Sequence, residues 1–489
     1  MTVSTSQTAA EAGLNGSFTN SKLYATLAYF NKYEQNRLRK YVQSPYFNAD
    51  ETLVLLFDQV ADHLNQKEEE RPPLEKEAIW SVMNPDKPYD DVRFRKYCSD
   101  LLKLVEGYLI QENLERNPIQ QATLLMQAVG KKKLEKLYSS AIRSANRLAD
   151  SQPYFSANNY FYRYQIERYL YDLTSQEFKR TEKSNLEEII NNLDYFYLSE
   201  KLRFFGLAKS RQDLLRHDYQ LLLIDEILSS VPKYKLDQVP LISLYYHAIQ
   251  LYSTEASEHY LLLKKQLSIQ KEIINPEDAN ELYTYALNYC YRLVNMGDPK
   301  AFQEIFELSN ELLQSGLIFQ FGELSPWKFR NIVITGLRLQ KYDWVEKFIS
   351  DYQQYLPDNY RENAVSFNLA NLYLYKKEYN KLLELLRNVE YEDLTYNLNS
   401  KVMLLITYTE LDELDLLLSH LDTFKTYLTR HKDIKNRVLY LNLIRFTKRL
   451  TKIIPGDTLQ IKKLREEITK EISKTANASW LLEKLAELE

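Results

Sequence analysis

Three stretches of this chain can be laid over one another without gaps: Gly336-Leu337-Arg338-Leu339-Gln340-Lys341-Tyr342-Asp343-Trp344, Tyr373-Leu374-Tyr375-Lys376-Lys377-Glu378-Tyr379-Asn380-Lys381 and Tyr408-Thr409-Glu410-Leu411-Asp412-Glu413-Leu414-Asp415-Leu416. Tyr342, Tyr379 and Leu414 then share one position, spaced by 37 and then 35 residues. A self-similar period of this length marks a structural unit that buries its apolar face only by stacking on its neighbours. Helical periodicity extends outward from these stretches. After Lys133 the apolar residues are Leu134, Leu137, Tyr138, Ala141, Ile142, Ala145 and Leu148, and earlier Phe94, Tyr97, Cys98, Leu101, Leu104, Val105, Tyr108 and Leu109 follow the same rule. Each set describes a helix with one buried face. Asn275-Pro276, Asp298-Pro299 and Ser325-Pro326 each place a side-chain acceptor before a proline suited to a first helical turn.

Composition agrees with helices. The 489 residues include only 10 Gly and 14 Pro, too few for a strand-and-turn fold or for nucleotide-cradling glycine loops. Hydrophobic residues make up 45% and charged ones 27%, which excludes a disordered chain. The net charge of −4 offers no global attraction to nucleic acid or to an anionic membrane, so any such binding needs a local patch. Residues 1–20 lack a basic and apolar signal-peptide pattern, and no run approaches the ~18 apolar residues of a membrane span. A cytoplasmic protein without membrane insertion is the expectation. Cys98 and Cys290 cannot build a disulfide framework and are read as buried structural thiols.

The segment Asn368-Leu369-Ala370-Asn371-Leu372-Tyr373, with Tyr379 and Leu382 after it, resembles a tetratricopeptide repeat. In that family a small residue of the first helix lets the second pack closely and an aromatic near the turn locks the pair. The resemblance assigns these roles to Ala370 and Tyr379. The expected glycine occurs once, as Gly336, and Lys381 or Leu382 stands where a small residue is usual, so the likeness is to a divergent member. The whole chain is also similar to a group of uncharacterised, all-helical bacterial proteins of about 500 residues, through Ser44-Pro45-Tyr46-Phe47-Asn48 and the helix from Tyr97 to Leu109. The implied fold is all-α: a right-handed, TPR-like solenoid of helical hairpins behind an N-terminal helical module. The expected divisions are a disordered tail over 1–17, the module over 18–115, the solenoid over 119–454 and capping helices over 455–489. The module is read as beginning with one long helix reaching Lys40.

No constellation of catalytic residues emerges. His63, His217, His247, His259, His420 and His431 form no HExxH pair, and His247 and His259 lie twelve apart across an expected turn. Phosphate-binding glycine loops and nucleophile elbows are absent from the sequence. The reading is therefore a non-enzymatic scaffold that needs no metal or cofactor and binds another protein or a peptide segment. Arg338, Tyr373, Tyr375 and Tyr408, near the repeat turns, are the candidate partner-binding residues. The 39 tyrosines suit this reading because each joins an apolar ring to a polar tip, and they are densest at Tyr160, Phe161, Tyr162, Tyr164, Tyr169 and Tyr171.

A second reading rests on charge. Lys425, Arg430, Lys432, Lys435, Arg437, Arg445, Lys448, Arg449 and Lys452 face the single acid Asp433 within 28 residues, with Tyr427, Tyr440 and Phe446 among them. Interleaved cations and aromatics are the pattern of a nucleic-acid surface, here assisted by Arg93, Arg95 and Lys96. The plainer account of the same residues is a solvated face balanced by acidic helices such as 412–422.

Overall fold

A computed structural model describes residues 18–67, 71–174, 184–215, 219–253, 256–386, 394–431, 434 and 436–489. The expected tail over 1–17, His217, Lys432, Asp433 and Lys435 lie outside the described residues. Among those described, 23 α-helices account for the structure, with a few 3-10 turns and isolated bridges but no strand. None of these helices is long and apolar enough to cross a membrane.

The chain divides into two compact units, Met1–Pro153 with Ala157–Tyr197, and Tyr154–Ser156 with Leu198–Glu489. In the first unit α1 (Lys22–Ala28), α2 (Lys32–Val42), α3 (Glu51–Leu64), α4 (Lys76–Met83) and α5 (Asp91–Glu115) enclose one core. Leu38, Leu56, Val60, Phe94, Leu101 and Val105 are buried together there. The single long helix expected to reach Lys40 is instead α1 and α2. The Asn31 side chain accepts hydrogen bonds from the amides of Tyr33 and Glu34 at 2.9 and 3.0 Å, and the Glu34 carboxylate accepts from the Asn31 amide at 3.0 Å. This reciprocal cap starts a new helix and so ends the earlier one.

In the same unit α6 (Pro118–Lys131), α7 (Glu135–Asp150) and α8 (Ala157–Thr174) pack on one another. The buried stripe of α7 is Ala141, Ala145 and Ala149, while Leu134 and Leu137 stay more than 40% exposed. The buried face is therefore narrower than the seven apolar residues imply, because small side chains let the helices approach closely. The tyrosine-rich α8 is half-buried on nearly every side, as its all-round aromatic pattern implies.

The second unit holds most of α9 (Leu186–Leu215), then α10 (Ile224–Lys233), α11 (Pro240–Gln250), α12 (Ala256–Gln270), α13 (Pro276–Asn295) and α14 (Ala301–Gln314). It continues with α15 (Pro326–Arg338), α16 (Tyr342–Tyr352), α17 (Asp358–Lys376), α18 (Tyr379–Leu386), α19 (Leu394–Glu410) and α20 (Leu414–Arg430). It closes with α21 (Arg437–Leu450), α22 (Thr458–Lys470) and α23 (Ala478–Glu487). From α10 to α21 successive helices pack on one another, α22 packs on α23, and α15, α17 and α19 also touch in sequence.

The three superposable stretches have one geometry. Tyr342, Tyr379 and Leu414 are the first residues of α16, α18 and α20. Gln340, Lys377 and Asp412, which share another position, have φ of 57°, 60° and 59°. The amides of Lys341, Glu378 and Glu413 donate to the carbonyls of Gly336, Tyr373 and Tyr408 at 2.9, 2.8 and 3.0 Å. This is the Schellman pattern, in which a left-handed residue lets the chain satisfy the last carbonyls of one helix and start the next. Inside the first pair Gly336 is the point of closest approach, since a Cβ there would stand 2.5 Å from Val345 Cγ2. Ala370 is fully buried in the next pair, near Phe367 and Leu382.

The expected caps divide. Asn275 accepts from the Glu277 amide at 3.0 Å, as the Asn-Pro pair implies. Asp298 accepts from the Lys300 amide at 2.9 Å, but α14 starts only at Ala301, so Pro299 precedes the helix. Ser325 makes no side-chain cap, and α15 starts on the fixed φ of Pro326 alone.

Two substitutions test these turns by chemical denaturation. Gly336→Ala should lower stability by about 1–2 kcal/mol, although Ala is the better helix former, because the added methyl group overpacks the crossing. Lys377→Gly should raise stability by about 0.5–1 kcal/mol by relieving the left-handed backbone. Gly336→Ala as stable as the wild type, or a destabilised Lys377→Gly, would contradict this geometry.

Candidate functional site

The cap at Asn275 sets the rotation of α13. Ala279, Leu282, Tyr283, Ala286, Tyr289 and Cys290 then point inward, and Glu277, Asn280, Thr284 and Asn288 fall on the outer side. The acids between these faces are held in place. Tyr245 donates to Asp278 at 2.7 Å, and Arg203 donates to Glu281 at 3.0 Å with Asp278 3.8 Å away. Burial pushes the Asp278 and Glu281 carboxyls up from their usual range, and Arg203 and the hydroxyl bonds pull against it.

The outer side of α13 forms one wall of a groove of about 920 Å³ whose other walls include Leu207, Leu317, Phe319, Phe321 and Lys328. Lys328, on α15, donates to Asn280 at 3.2 Å, and burial lowers its ammonium from the ordinary lysine value. The rim is a tight turn in which Gln320 and Glu323 exchange two backbone hydrogen bonds of 2.9 Å. Its middle residues, Phe321 and Gly322, have φ of 52° and 82°. Left-handed backbone suits Gly or Asn and is rare for a bulky residue, yet here it carries a phenylalanine that is wholly exposed. The sequence reading missed this group. The available signal was Phe321-Gly322 after Phe319, a turn pair inside an aromatic run.

Of the four candidate partner-binding residues, Arg338 and Tyr375 meet across α15 and α17, with the guanidinium 5.9 Å from the ring centroid. Arg338 is exposed, and burial raises the Tyr375 hydroxyl above its ordinary value. Arg338 lies ten residues beyond Lys328 on the same helix, about 15 Å along its axis. Tyr373 cannot share a face with Tyr375, two residues away on a helix, and lies beneath Lys381 at 5.4 Å. Tyr408 packs edge-on against His420 at 5.7 Å and lines a separate crevice with Leu450 and Lys484.

The basic segment has several charges already matched. Arg445 pairs with Glu471 at 2.7 Å, Lys448 with Asp422 at 3.3 Å, and Arg449 makes a two-pronged pair with Glu467. Arg437 donates to the Leu428 carbonyl at 3.3 Å. Lys425, Arg430 and Lys452 are exposed and form no ion pair among the described residues. Phe446 is fully buried and Tyr440 half-buried. In the first unit Arg95 pairs with Asp91 at 2.7 Å, Arg93 donates to the Tyr97 hydroxyl at 3.2 Å, and Lys96 is exposed.

Cys290 is buried and Cys98 half-buried, and burial pushes both thiols up to about 11, away from reactive thiolates. Among the described residues no three His, Cys, Asp or Glu side chains are grouped to hold a metal ion. His63 and His420 each bond a backbone carbonyl, Pro72 at 2.7 Å and Lys401 at 2.8 Å. His247 and His259, separated in the sequence reading by a turn, are brought together by α11 and α12 with their Nδ1 atoms 2.8 Å apart. One ring must donate and the other accept. Burial, then the neighbouring His259, hold His247 down to about 4.

No known family model matches the chain, and no curated protein and no solved structure matches it. The tetratricopeptide likeness accordingly rests on the residues quoted above.

The histidine pair generates a prediction about acid. An unfolded His247 takes up its proton near 6.5, whereas the folded residue resists until about 4. Between these values the unfolded chain binds more protons, so stability is full above 6.5 and is lost as pH falls toward 4, by roughly 3 kcal/mol for this one group. Hydrogen exchange of α11 and α12 should show that loss in the wild type and much less of it in His247→Gln. An identical pH dependence in both would refute the pairing.

Proposed function

We propose that this chain is a cytoplasmic, non-enzymatic interaction scaffold, a right-handed TPR-like solenoid of stacked helix pairs that receives a segment of another protein in the groove between α13, α15 and the Phe319–Phe321 turn. The observation that carries the reading is Phe321. An exposed phenylalanine in left-handed backbone costs of order 1–3 kcal/mol of strain and contributes nothing to the core. A side chain held at such cost is explained by contact with a partner, for which a rigid aromatic anchor beside a half-buried cation is well suited.

The groove is largely preformed, which lowers the ordering cost of binding. Asn280, Thr284 and Asn288 along α13 supply donors and acceptors for a partner backbone, and Lys328 supplies a positive charge. Repeated Schellman turns and a common helix start at Tyr342, Tyr379 and Leu414 support the solenoid reading. Exposed Arg338 on Tyr375 extends the binding row along α15. Ion pairing of Arg445, Lys448 and Arg449 leaves the nucleic-acid reading with Lys425, Arg430 and Lys452 as its exposed, unpaired cations among the described residues, and it is kept as the second reading.

A photo-crosslinking residue at position 321 tests the proposal in the native host. It should capture a protein. Phe321→Gly should raise thermal stability, since the backbone strain is removed, and Phe321→Gly with Lys328→Ala should lower partner recovery at least tenfold. Tyr375→Ala with Arg338→Glu should lower it further. Full recovery by the folded Phe321→Gly, Lys328→Ala chain would remove this groove as the binding site.

A further inference from the structure

The first unit holds a cavity of about 500 Å³ where the end of α6 and the start of α7 meet the second half of α8. Its volume is that of a small-molecule site, and it shares no residue with the Phe321 groove. Left-handed Lys133 (φ 53°) closes the turn between α6 and α7, with the Leu134 amide donating to the Val129 carbonyl at 3.0 Å. Lys131 and Lys133 therefore leave the chain from a fixed turn, and both line the cavity together with Arg168 of α8. All three are exposed and form no ion pair among the described residues, although Glu135 and Asp172 line the same cavity. The carbonyls at the end of α6 account for Lys131 there, since a helix C-terminus favours a cation. They do not account for Arg168, which stands six residues before the end of its own helix. Arg163, five residues earlier on α8, is by contrast paired with Asp150 at 2.9 Å.

Tyr138 and Tyr169 line the cavity as well, each half-buried against the core that holds Met126, Ala141 and Ala145. Among the described residues neither ring meets another ring, and neither hydroxyl has a hydrogen-bond partner. Other aromatics of α8 are engaged. Tyr160 and Phe161 meet Tyr195 and Phe196 with ring centroids 5.4 and 5.1 Å apart, and the Tyr162 hydroxyl accepts from Asn117 at 3.0 Å. Unpaired cations and unstacked rings around one cavity suit a ligand with an anionic group at one end and a planar ring at the other. We propose that this cavity binds a nucleoside phosphate, with its phosphate on Lys131, Lys133 and Arg168 and its base against Tyr138 and Tyr169. Glu135 and Asp172 accept from the N–H and O–H groups of base and ribose. Three cations against two acids leave the cavity a charge of only +1, so phosphate alone is held weakly and the ring supplies the preference. Side chains hold the phosphate without a glycine-rich loop, in keeping with a chain of 10 Gly.

The test titrates the full chain calorimetrically with AMP, GMP, the two corresponding nucleosides and inorganic phosphate. The tighter of the two nucleotides should bind at least tenfold more strongly than its nucleoside or inorganic phosphate, and more weakly as salt rises. Lys131→Ala with Arg168→Ala, both exposed positions, should weaken it at least tenfold without loss of helicity. Tyr138→Leu with Tyr169→Leu, which keeps apolar side chains on the core, should remove the advantage of the nucleotide over inorganic phosphate. Absence of binding by both nucleotides, equal binding of nucleotide and inorganic phosphate by the wild type, or indifference to Lys131→Ala with Arg168→Ala would each overturn the assignment. So would a single-stranded oligonucleotide that binds more tightly than either nucleotide and is released by Lys131→Ala with Arg168→Ala, since the cavity would then be a contact for nucleic acid.

Discussion

The hydrogen bond from the Lys341 amide to the Gly336 carbonyl, repeated from Glu378 to Tyr373 and from Glu413 to Tyr408, turns each helix back toward the next. An unclosed helix end leaves carbonyls to be satisfied by water, and the following helix would have no fixed direction. Once the left-handed residue closes the turn, the second helix must lie on the first, and the side chains at the crossing decide how near it comes. Gly336 under Val345 gives the closest approach, and alanines do comparable work at Ala370 and along α7. Chain direction, helix start and packing depth in these pairs thus follow from a few residues around each turn.

A helix covered by its sequence neighbours also keeps an uncovered side. On α13 that side is polar and is bordered by Lys328 and the aromatic turn at Phe321. On the first turns of α9 it is apolar, with Leu186, Ile190 and Leu193 exposed. The two surfaces differ in chemistry because packing constrains only the inward residues, leaving the outward ones open to selection for contact. Buried polar groups take a different role. The Arg203, Asp278, Glu281 and Tyr245 network is satisfied internally and positions α13 from behind.

What the sequence made legible was whatever depends on neighbours in the chain. The alignment through Tyr342, Tyr379 and Leu414 located three helix starts and, unasked, the left-handed positions Gln340, Lys377 and Asp412. The caps at Asn275 and Ala370's burial follow from the same local rules. The reciprocal cap of Asn31 and Glu34 was equally local, and the reading of one helix through Lys40 passed over it. Contacts between helices were not legible. His247 reaches His259 only through the packing of α11 on α12, and Arg445 and Arg449 find Glu471 and Glu467 only because α22 lies beside α21. Tyr373, Tyr375 and Tyr408 were grouped by register, whereas the direction each points depends on its angle around the helix. Phe321 sits between helices, where no periodicity speaks for it.

We propose that a protein segment lies in the groove beside the Phe321 turn. Hydrogen exchange measured on the chain alone and on its complex from the native host tests this most directly, because it surveys every helix at once. Binding there predicts slowed exchange at the Phe319–Phe321 turn and over the facing turns of α13 and the start of α15. A complex in which those amides exchange as in the free chain, with protection confined to other helices, would contradict it.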